Sequence, residues 1–175
     1  MVKKVLVILL IFVFHVVYGS TIIDYNNSML HLIQLAQTSN LKYPFTAMIV
    51  DNNSGQILCT GVNSVGNEHN PTLHGEKVAI NACVNKYGKK MNWHNTTLIT
   101  TAEPCPMCMS AIIWAGISKV VYGTSIKYLS EHGWKQINID SHEVLAKAPF
   151  SKVTIVGKVM ESQTNLLFIK SKQLQ

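Results

Sequence analysis

Arginine is absent from this sequence of 175 residues, so all fifteen basic side chains are lysines. Proteins that read or grip nucleic acid depend on arginine for bidentate and stacking contacts, whereas lysine offers phosphate only a point charge. The composition therefore weighs against a nucleic-acid partner, and we do not expect one. Internal repeats, low-complexity segments and interdomain linkers are also lacking. The sequence accordingly predicts one globular domain with its own core.

Cysteine is scarce, with only four residues in the chain. Cys59 and Cys83 stand alone in the apolar contexts "ILCTG" and "INACV", which predicts buried free thiols. Cys105 and Cys108 are three positions apart, and no second C-x-x-C exists to complete a four-cysteine metal knot. Three interpretations of the close pair stay open: a disulfide, a redox dithiol or part of a catalytic metal site.

The first residues differ in kind from the rest of the chain. A basic start, "MVKK", precedes the apolar run "VLVILLIFVFHVV" and the small residues "VYGS". This pattern predicts a signal peptide over residues 1–19, cleaved after Gly19. The alternative, an uncleaved anchor, fits less well because the run is short and contains His15. Cleavage would lower the formal charge from +6 to +4. We expect a mature protein of residues 20–175, periplasmic or secreted, without a membrane span.

Hydrophobic periodicity predicts alternating helices and strands along the mature chain. Strands are predicted at 43–51, 56–63, 96–101, 119–124 and 152–159, and helices at 21–39, 72–87, 105–115, around 141–148 and at 161–175. Residues 64–71 read as a polar loop. This order predicts an α/β fold, a three-layer α/β/α sandwich around a five-stranded mixed sheet.

The cysteine pair is predicted to open a helix. Pro106 suits the first helical position, which makes Cys105 the N-cap and places Cys108 in the first turn. Unpaired backbone N–H groups at a helix start favour thiolate over thiol. The spacing also puts both sulfurs on one side of the turn. This geometry suits a metal site and a redox dithiol equally.

A third metal ligand is offered by "NPTLHGE", where His74 falls in the first turn of a predicted helix. Glu76 lies two positions further, and residues two apart do not share a helix face. Glu76 is therefore predicted beside the metal but not bound to it. One His and two Cys with an open fourth position are typical of catalytic zinc, which lowers the pKa of a bound water to about 7. An unligated glutamate can move that proton, so we predict hydrolytic attack on a carbon bearing an amine.

The segments "HGE" at 74–76 and "PCPMC" at 104–108 together form the H-x-E…P-C-x-x-C pattern of zinc nucleobase deaminases. Over nearly all of the mature chain, the sequence resembles the cytidine and deoxycytidylate deaminase superfamily, guanine and tRNA adenosine deaminases in particular. The resemblance implies His74, Cys105 and Cys108 as Zn²⁺ ligands and Glu76 as the proton shuttle. It also implies a homodimer.

Pocket residues follow from the same resemblance. It implies Asn63 as a hydrogen-bond partner of the base, Phe45 and Gly75 as pocket residues and Trp114 as an aromatic that stacks on a purine. Asn63 could instead be a turn residue and Phe45 a core aromatic. Trp114 lies six positions after Cys108, about 120° round a helix, so a core tryptophan is its alternative interpretation.

Different segments of the sequence are similar to deaminases that act on different substrates. "EPCPMC" and "AIIWAG" are similar to guanine deaminases, in which a second acid assists proton transfer, but its expected position holds Gln136. Glu103, just before Pro104, is expected to order the loop around the metal ligands. "TLHGE" and "TTLITT" are similar to fungal cytosine deaminases. The tRNA adenosine deaminases share the general pattern, usually with Ala between His and Glu and with a basic RNA-binding face.

A small-molecule nucleobase or nucleoside, foremost a purine such as guanine, fits the residues best. Three alternatives stay open: an exported toxin-like deaminase acting on nucleic acid, a zinc-stabilised binding module without catalysis, and a redox protein using the cysteine pair. The intact Glu76 argues against the binding module, because a purely structural site has no use for it.

Overall fold

The computed structural model describes residues 22–175; the predicted signal peptide lies outside the described residues. The helices are α1 (Tyr25–Ser39), α2 (Val65–Glu68), α3 (Gly75–Tyr87), α4 (Pro106–Ala115), α5 (Ile126–Glu131), α6 (Ser141–Ala146) and α7 (Glu161–Lys172). The strands are β1 (Thr46–Asp51), β2 (Ile57–Val62), β3 (Thr96–Ala102), β4 (Lys119–Thr124) and β5 (Thr154–Val156). Within this described part of the chain, no helix is both long and apolar enough to cross a bilayer.

The five strands form one mixed sheet in the order β2-β1-β3-β4-β5. β1 pairs antiparallel with both β2 and β3, while β3–β4 and β4–β5 are parallel. Because β2 and β3 both run opposite to β1, their carboxyl ends lie at the same edge of the sheet. Helix α3, which comes after β2 and the short α2, and helix α4, which follows β3, begin at this edge.

Helices cover both faces of the sheet, as the alternation of side chains in β1 shows. Ala47 and Ile49 pack in one core with α3 and α4, and Met48 and Val50 pack in the other with α1 and α7. Successive strand residues point to opposite faces, so a continuous apolar strand supplies both cores. The predicted three-layer α/β/α sandwich with a five-stranded mixed sheet is confirmed.

Several predicted boundaries were wrong. Helix α3 begins at Gly75 and not at residue 72, because the Asn70 side chain accepts hydrogen bonds from the N–H and hydroxyl of Thr72 and holds a turn there. The predicted loop 64–71 contains α2, and α5 follows β4 where no helix was predicted. Strand β5 is also much shorter than predicted.

The prediction of free thiols at Cys59 and Cys83 was wrong, because the two residues form a disulfide between β2 and α3. Both are buried, as their apolar contexts indicated. The packing of α3 on β2 brings their Cα atoms to 5.6 Å, a usual separation for a disulfide. The local sequence shows burial but not this juxtaposition across 24 residues. The disulfide fixes α3 to the sheet.

Candidate metal centre

The cysteine pair opens α4 as the sequence predicts. Cys105 is the extended N-cap residue (φ −60°, ψ 164°), and Pro106 is the first helical residue. The backbone carbonyl of Cys105 accepts the first helical hydrogen bond from Met109 at 2.8 Å. Cys108 is fully buried in the first turn, and Cys105 is half-buried. The two sulfurs thus lie where β3 passes into α4.

His74 occupies the matching position on α3, as its extended N-cap residue (φ −68°, ψ 159°). Its Nδ1 lies 3.5 Å from the Sγ of Cys105. Ligand atoms of His74, Cys105 and Cys108 all lie within 4.8 Å of one another, so the three could hold one metal ion. An imidazole with two sulfurs is a donor set that zinc prefers, and three protein ligands leave a fourth position open. The residues present therefore fit zinc.

Glu76 lies in the first turn of α3 with only 4% of its surface exposed. Burial, together with the charge of the nearby Cys105 sulfur, raises the pKa of Glu76 to about 7. A carboxyl group with that pKa can both take up and release a proton near neutral pH. The structure thus brings Glu76 together with the three candidate ligands.

The two cysteines differ in their electrostatics. A hydrogen bond from Cys108 and another from His74 lower the pKa of Cys105 to about 4. The same hydrogen bond and burial raise the pKa of Cys108, and the contact with Cys105 raises the pKa of His74. In the metal-free protein, Cys105 is therefore a thiolate beside a histidine and a buried thiol. The thiolate of Cys105 is a ligand group ready for a bound cation.

Close packing requires a glycine at position 75, between His74 and Glu76. A Cβ atom at this position would lie 2.6 Å from the backbone oxygen of Phe45. That oxygen also accepts a hydrogen bond from the N–H of Asn63 at 2.9 Å. The backbone of Asn63 is fixed a second time, by Asn40 Nδ2 donating to its carbonyl at 2.9 Å. The side-chain amide of half-buried Asn63 bonds to no other residue in 22–175, which leaves it free for a ligand.

The ring of Phe45 packs in an aromatic cluster that sequence reasoning missed. Trp134 meets it edge-on at 5.3 Å between ring centroids, and Phe168 lies at 4.9 Å. Trp134 comes from the loop between α5 and α6, where "EHGWKQ" carries no periodic signal. Gln136 lies half-buried in the same loop. The cluster ties this loop to Phe45, the residue directly before β1 that contacts Gly75.

Trp114 lies apart from the buried side of α4. It is 78% exposed and stacks at a tilt on Phe150, with 5.2 Å between ring centroids. The core alternative for Trp114 was therefore wrong, while its predicted rotation away from Cys108 is confirmed. Within one chain, the structure brings Trp114 to an outer surface and not to the group around His74.

Comparison with known proteins agrees with this geometry. The family model "Cytidine and deoxycytidylate deaminase zinc-binding region" matches residues 23–124. A tRNA-specific adenosine deaminase from Buchnera aphidicola is 38% identical over 146 residues, covering 81% of this chain and 85% of its own. A guanine deaminase from Bacillus subtilis is 32% identical over 136 residues, covering 74% of this chain and 84% of its own.

A solved guanine deaminase from Nitrosomonas europaea shares the fold, with a TM-score of 0.71 at 19% identity. The match covers 85% of this chain and 84% of that one. The matched family region contains His74, Glu76, Cys105 and Cys108, the four residues that the structure brings together. The chain therefore belongs to the cytidine and deoxycytidylate deaminase family, whose zinc-binding region it carries.

Proposed function

We propose that the protein hydrolytically deaminates a free purine base, guanine foremost, and releases ammonia. The observation that carries this proposal is the group of His74, Cys105 and Cys108 with the buried carboxyl of Glu76 beside it. In the overall reaction a water oxygen forms a bond to the ring carbon, and the bond from that carbon to the amino nitrogen breaks. The products are a ring carbonyl and ammonia.

Each residue of the centre has a definite task in this proposal. His74, Cys105 and Cys108 hold zinc, which when bound supplies a Lewis acid that lowers the pKa of water. Glu76 takes the proton from the attacking water and passes it to the leaving amine, a transfer that its pKa of about 7 suits. The free amide of Asn63 orients the base, and Phe45 bounds the pocket beside Gly75.

The choice of a purine is supported by the guanine deaminases among the relatives and by the "EPCPMC…AIIWAG" segment. A second candidate is adenosine in RNA, favoured by the 38% identity to a tRNA-specific adenosine deaminase. The glycine between His74 and Glu76 and the absence of arginine favour the free base. The position expected for a second acid holds Gln136. The rate of ammonia release from guanine therefore shows whether this protein deaminates guanine without that acid.

A substrate panel separates these candidates. Zinc-loaded protein is incubated with guanine, adenine, cytosine, their nucleosides and a short RNA hairpin carrying an unpaired adenosine, and ammonia is measured. Fastest release from guanine or adenine supports the proposal. Release from the hairpin alone supports the RNA candidate, and release from none, with zinc bound, contradicts the proposed activity.

We also propose that the protein works as a homodimer. Trp114 and Phe150 form an exposed aromatic pair on α4 and the segment after α6, flanked by grooves of about 490 and 460 Å³. Exposed aromatic pairs of this kind are typical of protein interfaces. The stacking of Trp114 on a purine stays a prediction, because its exposed position equally suits contact with a second subunit.

Export to the periplasm or beyond is proposed on two grounds. Residues 1–19 have the pattern of a signal peptide, and the Cys59–Cys83 disulfide suits an oxidising compartment. N-terminal sequencing of the natural protein is expected to begin near Ser20. A natural protein that begins at Met1 would contradict cleavage.

A further inference from the structure

Glu103 is a buried carboxyl group at the end of β3 that joins two helices. It is 5% exposed, and its oxygens accept hydrogen bonds of 2.9 Å from the backbone N–H groups of Ile126 and Ser141. These are the first residues of α5 and α6. Among residues 22–175, no basic side chain lies within ion-pair distance of Glu103. The two N–H groups are therefore its binding partners, and hydrogen bonds to a charged group are the stronger ones.

The same stretch of backbone leads directly to the metal centre. Glu103 precedes Cys105 by two residues, and its own N–H donates to the carbonyl of Thr124 at 2.7 Å. The hydroxyl of Ser141 donates to the carbonyl of Pro104 at 3.3 Å. Glu103 and Pro104, directly before Cys105, are thus held against the end of β4 and the start of α6 at once.

The segment 126–141 also reaches the other half of the centre. Trp134, within this segment, packs edge-on against Phe45 at 5.3 Å. The backbone oxygen of Phe45 is the atom that a Cβ on Gly75 would meet. One segment therefore contacts the cysteine side of the centre through Glu103 and the histidine side through Trp134. Gln136 lies between these two anchors.

We propose that Glu103 is a positioning residue that holds segment 126–141 in place as a wall of the substrate pocket. This inference rests on the proposed function in taking the space beside the metal centre as the pocket for a base. Glu103 acts through the two helix starts and touches neither zinc nor substrate. Its loss should therefore weaken substrate binding and leave the metal ligands in place.

The direct test is Glu103→Gln. An amide has one acceptor oxygen, so one of the two N–H groups would face an NH₂ group and lose its partner. With the base that the panel selects, KM is expected to rise by about tenfold or more while kcat falls far less. Zinc content and the absorption spectrum of the cobalt-substituted protein should match those of the unaltered protein.

A matched control removes other hydrogen bonds at the same two helix starts. In Ser125→Ala/Asp140→Ala, α5 loses the Ser125 hydroxyl that accepts from Tyr128 N–H at 3.1 Å. In the same variant, α6 loses the Asp140 carboxylate that accepts from Glu143 N–H at 2.8 Å. KM of this variant is expected to stay near the original value. An equal rise in KM in the control, or no rise in Glu103→Gln, would overturn the proposal.

Hydrogen exchange tests the contact of Glu103 with the starts of α5 and α6 without any substrate. Glu103→Gln is expected to speed amide exchange in α5 and α6 together, while exchange in α4 stays unchanged. Unchanged exchange in both helices would overturn the positioning role whether or not a base is turned over. Failure of the unaltered protein to release ammonia from any base would instead contradict the proposed function.

Discussion

The Sγ of Cys105 lies 3.5 Å from Nδ1 of His74, although 31 positions separate the two residues. Each is the N-cap of its own helix, and neither side chain forms a capping hydrogen bond. The sulfur and the imidazole are therefore free to face each other. They meet because β2 and β3 end at the same edge of the sheet, and both α3 and α4 begin at that edge.

Gly75→Ala is expected to disturb the centre, since its Cβ would lie 2.6 Å from the carbonyl oxygen of Phe45. The strain, about 1–3 kcal/mol for an overpacked site, must shift either β1 or the start of α3, which carries His74 and Glu76. The melting temperature and the zinc affinity should both fall. Gly66→Ala is the control, because a Cβ there has no neighbour within 4 Å. Unchanged zinc affinity in Gly75→Ala would contradict this reading.

The zinc-free protein is expected to react with alkylating agents first at Cys105. Its pKa of about 4 lies well below the ordinary thiol value, so at a pH of about 6 it is a thiolate, whereas burial and its hydrogen bond keep Cys108 protonated. The rate should fall as the pH drops through about 4, where the thiolate is lost. Peptide mass spectrometry after brief iodoacetamide treatment measures both sites. Faster labelling of Cys108, or equal labelling of zinc-loaded protein, would contradict the assignment.

The sequence predicted the parts of this structure that local patterns determine. Pro106 placed the helix start at Cys105, and the two-part H-x-E…P-C-x-x-C pattern identified the four residues of the centre. The Cys59–Cys83 disulfide and the packing of Trp134 on Phe45 could not be predicted, because both depend on how distant elements pack. The start of α3 was misplaced because the Asn70 side chain competes locally for the backbone.

Removing the disulfide is expected to destabilise the fold. Cys59→Ala/Cys83→Ala frees a loop of 24 residues from its cross-link, which should cost about 3 kcal/mol of unfolding free energy. The melting temperature should fall, and reductant should lower that of the unaltered protein but not that of the variant. Thiol titration gives a second check. After zinc removal and denaturation, exported protein should show two reactive thiols; four would contradict the disulfide.

The proposed dimer can be broken at its exposed aromatic pair. Trp114→Ala/Phe150→Ala is expected to shift the protein from dimer to monomer in sedimentation velocity runs, because buried aromatic anchors dominate interface energies. Leu174→Ala, at an exposed apolar side chain beyond α7, is the control and should leave the dimer mass unchanged. A monomeric unaltered protein, or a variant that still dimerises, would contradict this interface.

The role of Glu76 as proton shuttle is the centre of this account, and ammonia release by Glu76→Gln measures it most directly. The variant keeps the size of the buried side chain and should bind about one zinc per chain, since Glu76 is not a ligand. Its turnover is expected to fall by at least about a hundredfold. Glu68→Gln, at an exposed carboxylate on α2, should release ammonia at the original rate. Full turnover by the zinc-loaded Glu76→Gln variant would contradict the account.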